Sequence, residues 1–581
     1  MLSFVDQLPE SHPLVKAKRR AGRFKRYLAR KWWERNIGKQ YRAWLLDSQE
    51  RPRGTIENQV PISIIVPVFN PPLRFLQECL DSVVQQTASQ WQLIVSDDGS
   101  SDDAVVDFLQ AFAKHSEHDP RITVLFGANG GISAAQNRAL EHVEHSYFGW
   151  LDHDDQLNPR AVELISETIA GSDVPPQVVY SDEDKIDGKG EHFELYCKPD
   201  FSPELLLTQM YLCHFTVFDT AMVRQVGGFR SEMDGAQDFD LALRLLPNLT
   251  TVLHIPHPLY HWRAWSESTA SSIDAKPWAQ QAAARAQQDY LDATTGGTVA
   301  PSRVPGLNEV HPAIAGDPLV SVIIPTIGTS NPGRSARYVD EAVRSLRTHE
   351  TGVRLEIIAV TTGEIADIPG ADQQVVYSPD ATFNFAEAIN LGRAHAQGDF
   401  LLLLNDDVTV EESTPVLRLL EIGQRPGVGA VGAKLTYPDG RLQHAGIVLL
   451  PSGPTHAYIA KPGSFPGYFG STLTPRNYSA VTAAAMLTRA EAFDAVGGFD
   501  TSFARDFNDV DYCLRLREAG YRIAWTPYAH LIHHEGASIV RKAADPQESA
   551  LFHRRWTGVY AFDPYYSPAL NPRLERLYEA L

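Results

Sequence analysis

Sulfur is scarce in this 581-residue chain, which has four cysteines and five methionines. Cys79, Cys197, Cys213 and Cys513 stand far apart and form no CxxC pair. That argues against a disulfide framework and a structural zinc site, and it fits a reducing compartment. No run of about 18 apolar residues occurs, so a membrane-spanning helix is not expected. The first residues also lack the apolar core of a secretory signal. Positive charge is short as well: 52 Lys and Arg against 71 Asp and Glu leave a net charge of −19. Such a balance disfavours nonspecific nucleic-acid binding, so no nucleic-acid partner is expected. What remains is ordinary globular composition, 43% hydrophobic and 21% charged, in a chain long enough for two to four domains.

The few cations are not evenly spread. Residues 14–42 carry twelve Lys and Arg against one acid, Glu34, so the rest of the chain is near −30. Phe24, Tyr27, Leu28, Trp32, Trp33, Ile37 and Trp44 are interleaved with them. Aromatics and cations at helical intervals suit a helix lying on an anionic membrane surface. Docking on the acidic body of the protein is the competing reading.

From residue 60 the pattern becomes regular. PISIIVPVF (61–69) and WQLIVS (91–96) are short, apolar and β-branched, as buried parallel strands are, and helix-like stretches separate them. RITVLF (121–126) and YFGWL (147–151) continue the alternation, which predicts a doubly wound α/β sheet. The order then restarts. PLVSVIIP (318–325), LEIIAV (355–360), FLLLLNDD (400–407), VGGFD (496–500) and FNDVDYCLRL (507–516) answer ISIIVP, WQLIVS, YFGWLDHDD, VGGFR and AQDFDLALRL in sequence. His533 lies 24 positions after Asp509, and His261 lies 23 after Asp238. An offset of roughly 250–270 residues is far too long for a solenoid repeat and predicts two complete domains. The expected division is a basic segment 1–58, a domain 59–295, a Gly- and Pro-rich linker 296–317, a domain 318–560 and a tail 561–581.

Acids cluster where such a sheet binds ligands, beyond the carboxyl ends of its strands. Asp97 and Asp98 follow one strand; Asp152, Asp154 and Asp155 follow another. Crowded carboxylates repel one another and favour a divalent cation, and a small oxygen set suits Mg²⁺ or Mn²⁺. His261 could complete that shell, and Asp238 could act as a base. Taken singly, DHDD is more often a solvated turn, Asp238 a helix cap and His261 a core histidine. Their recurrence in one order, twice, favours a site.

At these residues the chain resembles the family 2 glycosyltransferases of GT-A fold, in particular the bacterial tandem-domain proteins of O-antigen and surface-polysaccharide assembly. The stretches that carry the resemblance are VPVFN (66–70), SDDGSSDD (96–103), NGGISAAQNRAL (129–140), WLDHDDQLNP (150–159), YSDEDKID (180–187), GAQDFDLALR (235–244) and HIPHPLYHWR (254–263). In the second half they are FNFAEAIN (383–390), LLLLNDDV (401–408), VGAVGAKLTYPDGRLQHAGIVL (428–449), FNDVDYCLRLREAGYR (507–522) and HHEGAS (533–538). The resemblance implies two tandem GT-A domains, Rossmann-like and mostly parallel, behind a basic N-terminal helical segment. It implies inverting, metal-dependent transfer from a UDP-, dTDP- or GDP-sugar to a glycan or lipid-linked glycan, with Mn²⁺ or Mg²⁺ as cofactor. Asp97 and Asp98 would meet the nucleoside. Asp152 and Asp154 would form the DxD pair, with Asp154 the metal ligand and Asp155 in support. Asp238 would be the base, His261 a metal ligand, and Trp262 and Arg263 would border the sugar and phosphates.

The second copy departs from that pattern. TTGE (361–364) replaces the nucleoside-binding acids unless Glu364 or Asp367 substitutes. Leu404 stands where the motif spacing puts Asp152, Asp406 matches Asp154 and Asp407 matches Asp155. Asp509 matches the base, and His533, beside His534, matches His261. An active second site with altered nucleotide contacts is the favoured reading, and an inert scaffold its rival. The whole would be a bifunctional transferase on the cytoplasmic face of the membrane. A non-catalytic carbohydrate-binding platform and a nucleotidyltransferase are the other classes, and the second lacks its Gly-rich phosphate loop. Donor sugar, acceptor and linkage have no signature.

Overall fold

The computed structural model describes residues 59–573 apart from 266–276, 303, 331–335, 364, 378–382, 412–413 and 535–543, together with Leu577 and Tyr578. The basic segment and Glu364 lie outside the described residues.

The first half builds a nine-stranded sheet from β1 (Ile62–Val68), β2 (Trp91–Asp97), β3 (Ile122–Phe126), β4 (Tyr147–Trp150), β5 (Gln156–Leu157), β6 (Val178–Asp187), β7 (His192–Tyr196), β8 (Thr216–Asp219) and β9 (Val252–Ala264). Its order is β3-β2-β1-β4-β8-β6-β9-β5, with β7 on β6. β1 to β4 are parallel, whereas β8 runs against both β4 and β6. Ile62, Ile64 and Val66 of β1 face one apolar layer and Ile65 faces the other, as a strand covered by helices on both sides requires.

The second half repeats this order. Its strands are β12 (Leu319–Thr326), β13 (Arg354–Thr362), β14 (Gln373–Tyr377), β15 (Phe400–Leu404), β16 (Val408–Thr409), β17 (Val428–Thr436), β18 (Leu442–His444), β21 (Arg476–Asn477), β22 (Ala485–Arg489) and β23 (Arg522–His533). They are arranged β14-β13-β12-β15-β22-β17-β23-β16, with β18 on β17 and β21 on β23. This is the order of the first sheet again, with β21 on β23 added and a separate hairpin of β19 (Ile447–Leu450) and β20 (Gly453–His456).

The register corrects one equivalence drawn from motif spacing. Ile65 pairs with Trp150, and its counterpart Ile323 pairs with Leu403. Leu404 therefore continues the strand at the place of Leu151. At the far end, Gln156 pairs with His261 and Val408 with His533. The four residues 152–155 between these anchors become three, 405–407. The second turn is one residue shorter, so the first Asp is lost by shortening and not replaced by Leu404.

Two segments expected to be irregular are built into the fold. In the linker, β10 (Gly297–Pro301) and β11 (Asn308–Pro312) form an antiparallel hairpin. His311 of β11 meets Glu421 of the helix Pro415–Gly423 at 3.0 Å. In the tail, Asp563 accepts from the Leu449 amide (2.5 Å) and the Ser479 hydroxyl (2.7 Å), while Tyr566, Leu570 and Tyr578 enter the apolar core.

The two halves also bond directly. Ser202 donates to Asn477 at 2.7 Å, and Tyr196 stacks on Phe469 with centroids 4.1 Å apart. The fully buried carboxylate of Glu204 receives Arg425 at 3.3 Å and Arg522 at 3.0 Å.

Candidate active site

In the first half the turn after β4 is held from β9. Asp155 is buried; it accepts from the Tyr260 hydroxyl at 2.5 Å and the Arg263 amide at 2.7 Å. Burial pushes its carboxyl well above the usual range, and Asp154 and Asp152 push the same way. Asp154 accepts from the Trp265 indole at 2.8 Å. His261 lies on the same strand between these supports. Arg263 differs from expectation. Its side chain has no exposure and reaches the Asp154 carbonyl (2.7 Å), Glu78 (2.7 Å) and the face of Phe75. It braces the acidic turn from behind.

Asp97 and Asp98 are both buried at the end of β2. Asp97 accepts from the Ser100 amide, at 3.3 and 3.2 Å for its two oxygens. Asp98 accepts from the amides of Gly130 (3.0 Å) and Gly131 (2.8 Å), fastening the loop that opens the helix Ile132–Glu141. Gly131 has φ +90°, and a Cβ there would meet Asp234 at 2.2 Å, so the loop needs glycine.

The acids of YSDEDKID were singled out by resemblance, and the structure shows what they do. Three of the four acids, Asp182, Glu183 and Asp184, are buried on β6, and each faces cationic or imidazole nitrogen. Asp182 meets His254 at 2.9 Å, and Glu183 meets Lys198 at 3.1 Å. Asp184 meets His261 at 2.6 Å through one oxygen and His192 at 2.8 Å through the other. Burial works against ionisation of Asp184, yet His261 and His192 hold it at about 2. An ionised carboxylate only accepts, so His261 donates its Nδ1 proton to Asp184 and turns Nε2 away from it. Metal-ligating imidazoles are oriented in this way. The ligand atoms of Asp184, His192 and His261 all lie within 4.8 Å of one another. His192 had no sequence signal; its partner lies eight residues away across the β6–β7 turn.

His214 is the second residue that sequence reasoning missed. It stacks on Tyr260 and approaches Asp152 (3.9 Å) and Glu183 (3.5 Å). Burial would lower its pKa, but Glu183, Asp152 and Asp155 carry it up to about 9. Asp238, in the first turn of the helix Gln237–Leu245, shares this neighbourhood. Burial raises its carboxyl, His214 lowers it and Asp152 raises it.

The second half brings Asp406, Asp407, Asp509 and His533 together on the wall of one cavity of 620 Å³. Asp406 accepts from Thr326 at 2.6 Å, and Asp407 meets His533 Nε2 at 3.2 Å. Buried Nδ1 of His533 has no hydrogen-bond partner among the described residues. Asp509 accepts from the amides of Ala483 (3.2 Å) and Val510 (2.8 Å), and burial raises its carboxyl. The residue that opens its helix, Phe507, sits at φ +63°, a left-handed conformation costing about 1–2 kcal/mol in an L-residue. Its ring stacks on Phe552 at 4.7 Å.

The electrostatics of the two halves differ. Register places Thr361 at Asp97, Thr362 at Asp98 and Ala484 at His214. β17, the counterpart of acid-rich β6, reads VGAVGAKLT and has no acid. Asp367 is exposed, outside the cavity wall, with its carbonyl held by Arg337 at 2.7 Å.

Both halves have a parallel-rich α/β sheet with acids beyond its strand ends, the layout of the GT-A fold. Residues 63–227 match the family model for glycosyl transferase family 2, so this part of the chain is a domain of that family. It is 39% identical to the uncharacterized protein y4gI of Sinorhizobium fredii over 546 residues, covering 90% of this chain and 58% of that one. It is 34% identical to the O-antigen biosynthesis protein RfbC of Myxococcus xanthus over 520 residues, 88% of this chain and 40% of that one. A shorter stretch, 32% of this chain and 19% of the relative, is 33% identical to the hyaluronan synthase of Pasteurella multocida. The chain thus spans about half the length of the first two relatives.

Proposed function

We propose that the chain is a bifunctional inverting glycosyltransferase that extends a bacterial surface glycan such as O-antigen. The observation that carries this reading is the repeated constellation: acids after the fourth strand, a carboxylate in the first turn of a later helix and an imidazole on the last long strand, in both halves. The relatives in O-antigen and hyaluronan assembly support a polysaccharide product.

In the first half, Asp238 takes the proton of the acceptor hydroxyl as its oxygen bonds to C1 of the donor sugar. The C1–O bond to the diphosphate breaks on the opposite face, and nucleoside diphosphate leaves. One displacement inverts C1 and requires no covalent nucleophile. Asp154 and His261 would hold Mn²⁺ or Mg²⁺, as Asp406 and His533 would in the second half; such an ion offsets charge developing on the diphosphate. His261 fits that role because Asp184 fixes its Nδ1 proton. Asp152 and cationic His214 border the donor, and Asp97 and Asp98 order the loop against which the nucleoside rests. Asp509 is the base of the second half. Because Thr361, Thr362 and Ala484 replace charged groups, the second site takes a different donor or makes a different linkage.

The test is a panel of UDP-, dTDP- and GDP-sugars with Mn²⁺ or Mg²⁺. Nucleoside diphosphate is the expected by-product, and EDTA abolishes turnover. Pyrophosphate release would reassign the chain to nucleotidyl transfer; tight donor binding without turnover would make it a platform.

No described helix is long and apolar enough to cross a membrane. We place the protein on the inner face of the cytoplasmic membrane through its basic N-terminal segment, which would raise the local concentration of a lipid-linked acceptor. Removing residues 1–50 is expected to abolish sedimentation with anionic vesicles while sparing transfer to a short soluble acceptor. Equal sedimentation of the truncated chain would dismiss the membrane role.

A further inference from the structure

The longest stretch of the second-half resemblance, 428–449, has no part in the chemistry above, yet it folds into that cavity's wall. It forms β17, β18 and β19, and β20 returns alongside β19. No strand follows β7 before β8 in the first half, so the β19–β20 hairpin belongs to the second half alone. Gln443 of β18 and His456 of β20 line the cavity together with Asp509.

Gln443 is 4% exposed, and its Oε1 has no hydrogen-bond partner among the described residues. A buried polar atom without a partner is uncommon and points to a ligand or water. Beside it stands a histidine pair. The Thr482 amide donates to His444 Nε2 at 3.5 Å, so the His444 proton sits on Nδ1. That nitrogen lies 3.0 Å from His456 Nδ1 and donates to it, which leaves the His456 proton on Nε2. Burial, with His456 and His533 nearby, keeps His444 neutral.

The wall is tied to the base. Consecutive amides, those of Thr482 and Ala483, bond His444 and Asp509. Gln443, His456 and Asp509 line one cavity, so a group resting on the first two shares it with Asp509. The chemistry of the wall selects that group. An amide oxygen without a partner beside an imidazole N–H suits a hydroxyl, which both donates and accepts. An anion would face Gln443 Oε1 and the carboxylates of Asp406, Asp407 and Asp509. Phe385 and Phe507 line the same cavity and offer ring faces to the C–H surface of a sugar.

We infer that Gln443 and His456, with His444 setting the His456 tautomer, form the acceptor-sugar subsite of the second half and bind neutral pyranose hydroxyls beside Asp509. The acceptor assignment rests on the reading of Asp509 as a transferase base; the sugar-binding part does not.

The test uses the full chain and a panel of methyl glycosides of rhamnose, galactose, glucose, mannose and N-acetylglucosamine, with binding read by saturation-transfer NMR. At least one glycoside is expected to bind wild type and to weaken at least tenfold in Gln443→Leu and in His456→Phe. Gln443→Leu deletes an acceptor that has no partner and nearly keeps its volume, so its melting temperature should match or exceed wild type. It carries the test alone if His456→Phe unfolds. Binding of every glycoside unchanged in Gln443→Leu, or no binding to wild type, overturns the inference. If Asp509→Asn spares every transfer product while glycoside binding still depends on Gln443, catalysis in the second half fails and the sugar-binding subsite stands.

Discussion

Asp238→Asn is expected to lower kcat for one transfer product by about 10²–10⁴-fold, the range for losing a positioned general base. Asn matches Asp in shape and can still accept the Phe239 amide, now 2.7 Å from Asp238 Oδ1. It cannot take a proton. Fold and donor affinity should therefore survive, with the loss in kcat and not in the donor KM. Asp509→Asn should do the same to a second product, because its carboxylate has the same place in its helix and accepts the amide of the following residue at 2.8 Å. Two variants that each remove a different product establish two sites. If only Asp238→Asn matters, the second half is a scaffold, a reading favoured by threonines at the places of Asp97 and Asp98 and by the lack of an acid on β17. Should neither variant change turnover more than threefold, the assignment of bases is wrong.

Glu204→Ala is expected to destabilise the protein by about 3–5 kcal/mol, because breaking a buried ion pair leaves charge without compensation. Two guanidiniums share this one fully buried carboxylate, Arg425 through Oε1 at 3.3 Å and Arg522 through Oε1 at 3.0 Å and Oε2 at 3.3 Å. Burial opposes ionisation of Glu204, but Arg522 and Arg425 outweigh it and hold the pKa at about 2. A folded-state pKa below the unfolded value contributes stability above pH 4.5, and that contribution fades as pH falls toward 2. The gap between Glu204→Ala and wild type in urea should accordingly be wide at pH 7 and narrower at pH 3. A gap below about 1 kcal/mol at pH 7 would mean that the arginines find water when the halves relax. Glu204 lies in the first half and both arginines in the second, so this contact also bears on how firmly the two sites are spaced.

Local pattern alone carried much of this molecule. Short β-branched runs, the acids that follow them and the restart at residue 318 are legible because strand burial and strand-end chemistry leave marks within a few residues. Asp154, Asp238, Asp406, Asp509 and both histidines were singled out for the same reason, and TTGE stood out because threonines take the places of the two acids. Only the tertiary structure decided the rest, since it depends on partners brought together by sheet register across long stretches of chain. Asp184 and His192 matter because β6 and β7 place them against His261. His214 reaches Asp152 from 62 residues away, and Arg263 turns inward because Glu78 and Phe75 receive it. Motif spacing aligned Leu404 with Asp152, whereas backbone hydrogen bonds aligned it with Leu151; a sheet tolerates a shorter turn but not a slipped strand, which would reverse every side chain. The hairpin of 297–312 and the packed tail follow the same logic: Gly and Pro announce turns, and only the surface they meet determines whether the residues between them pack.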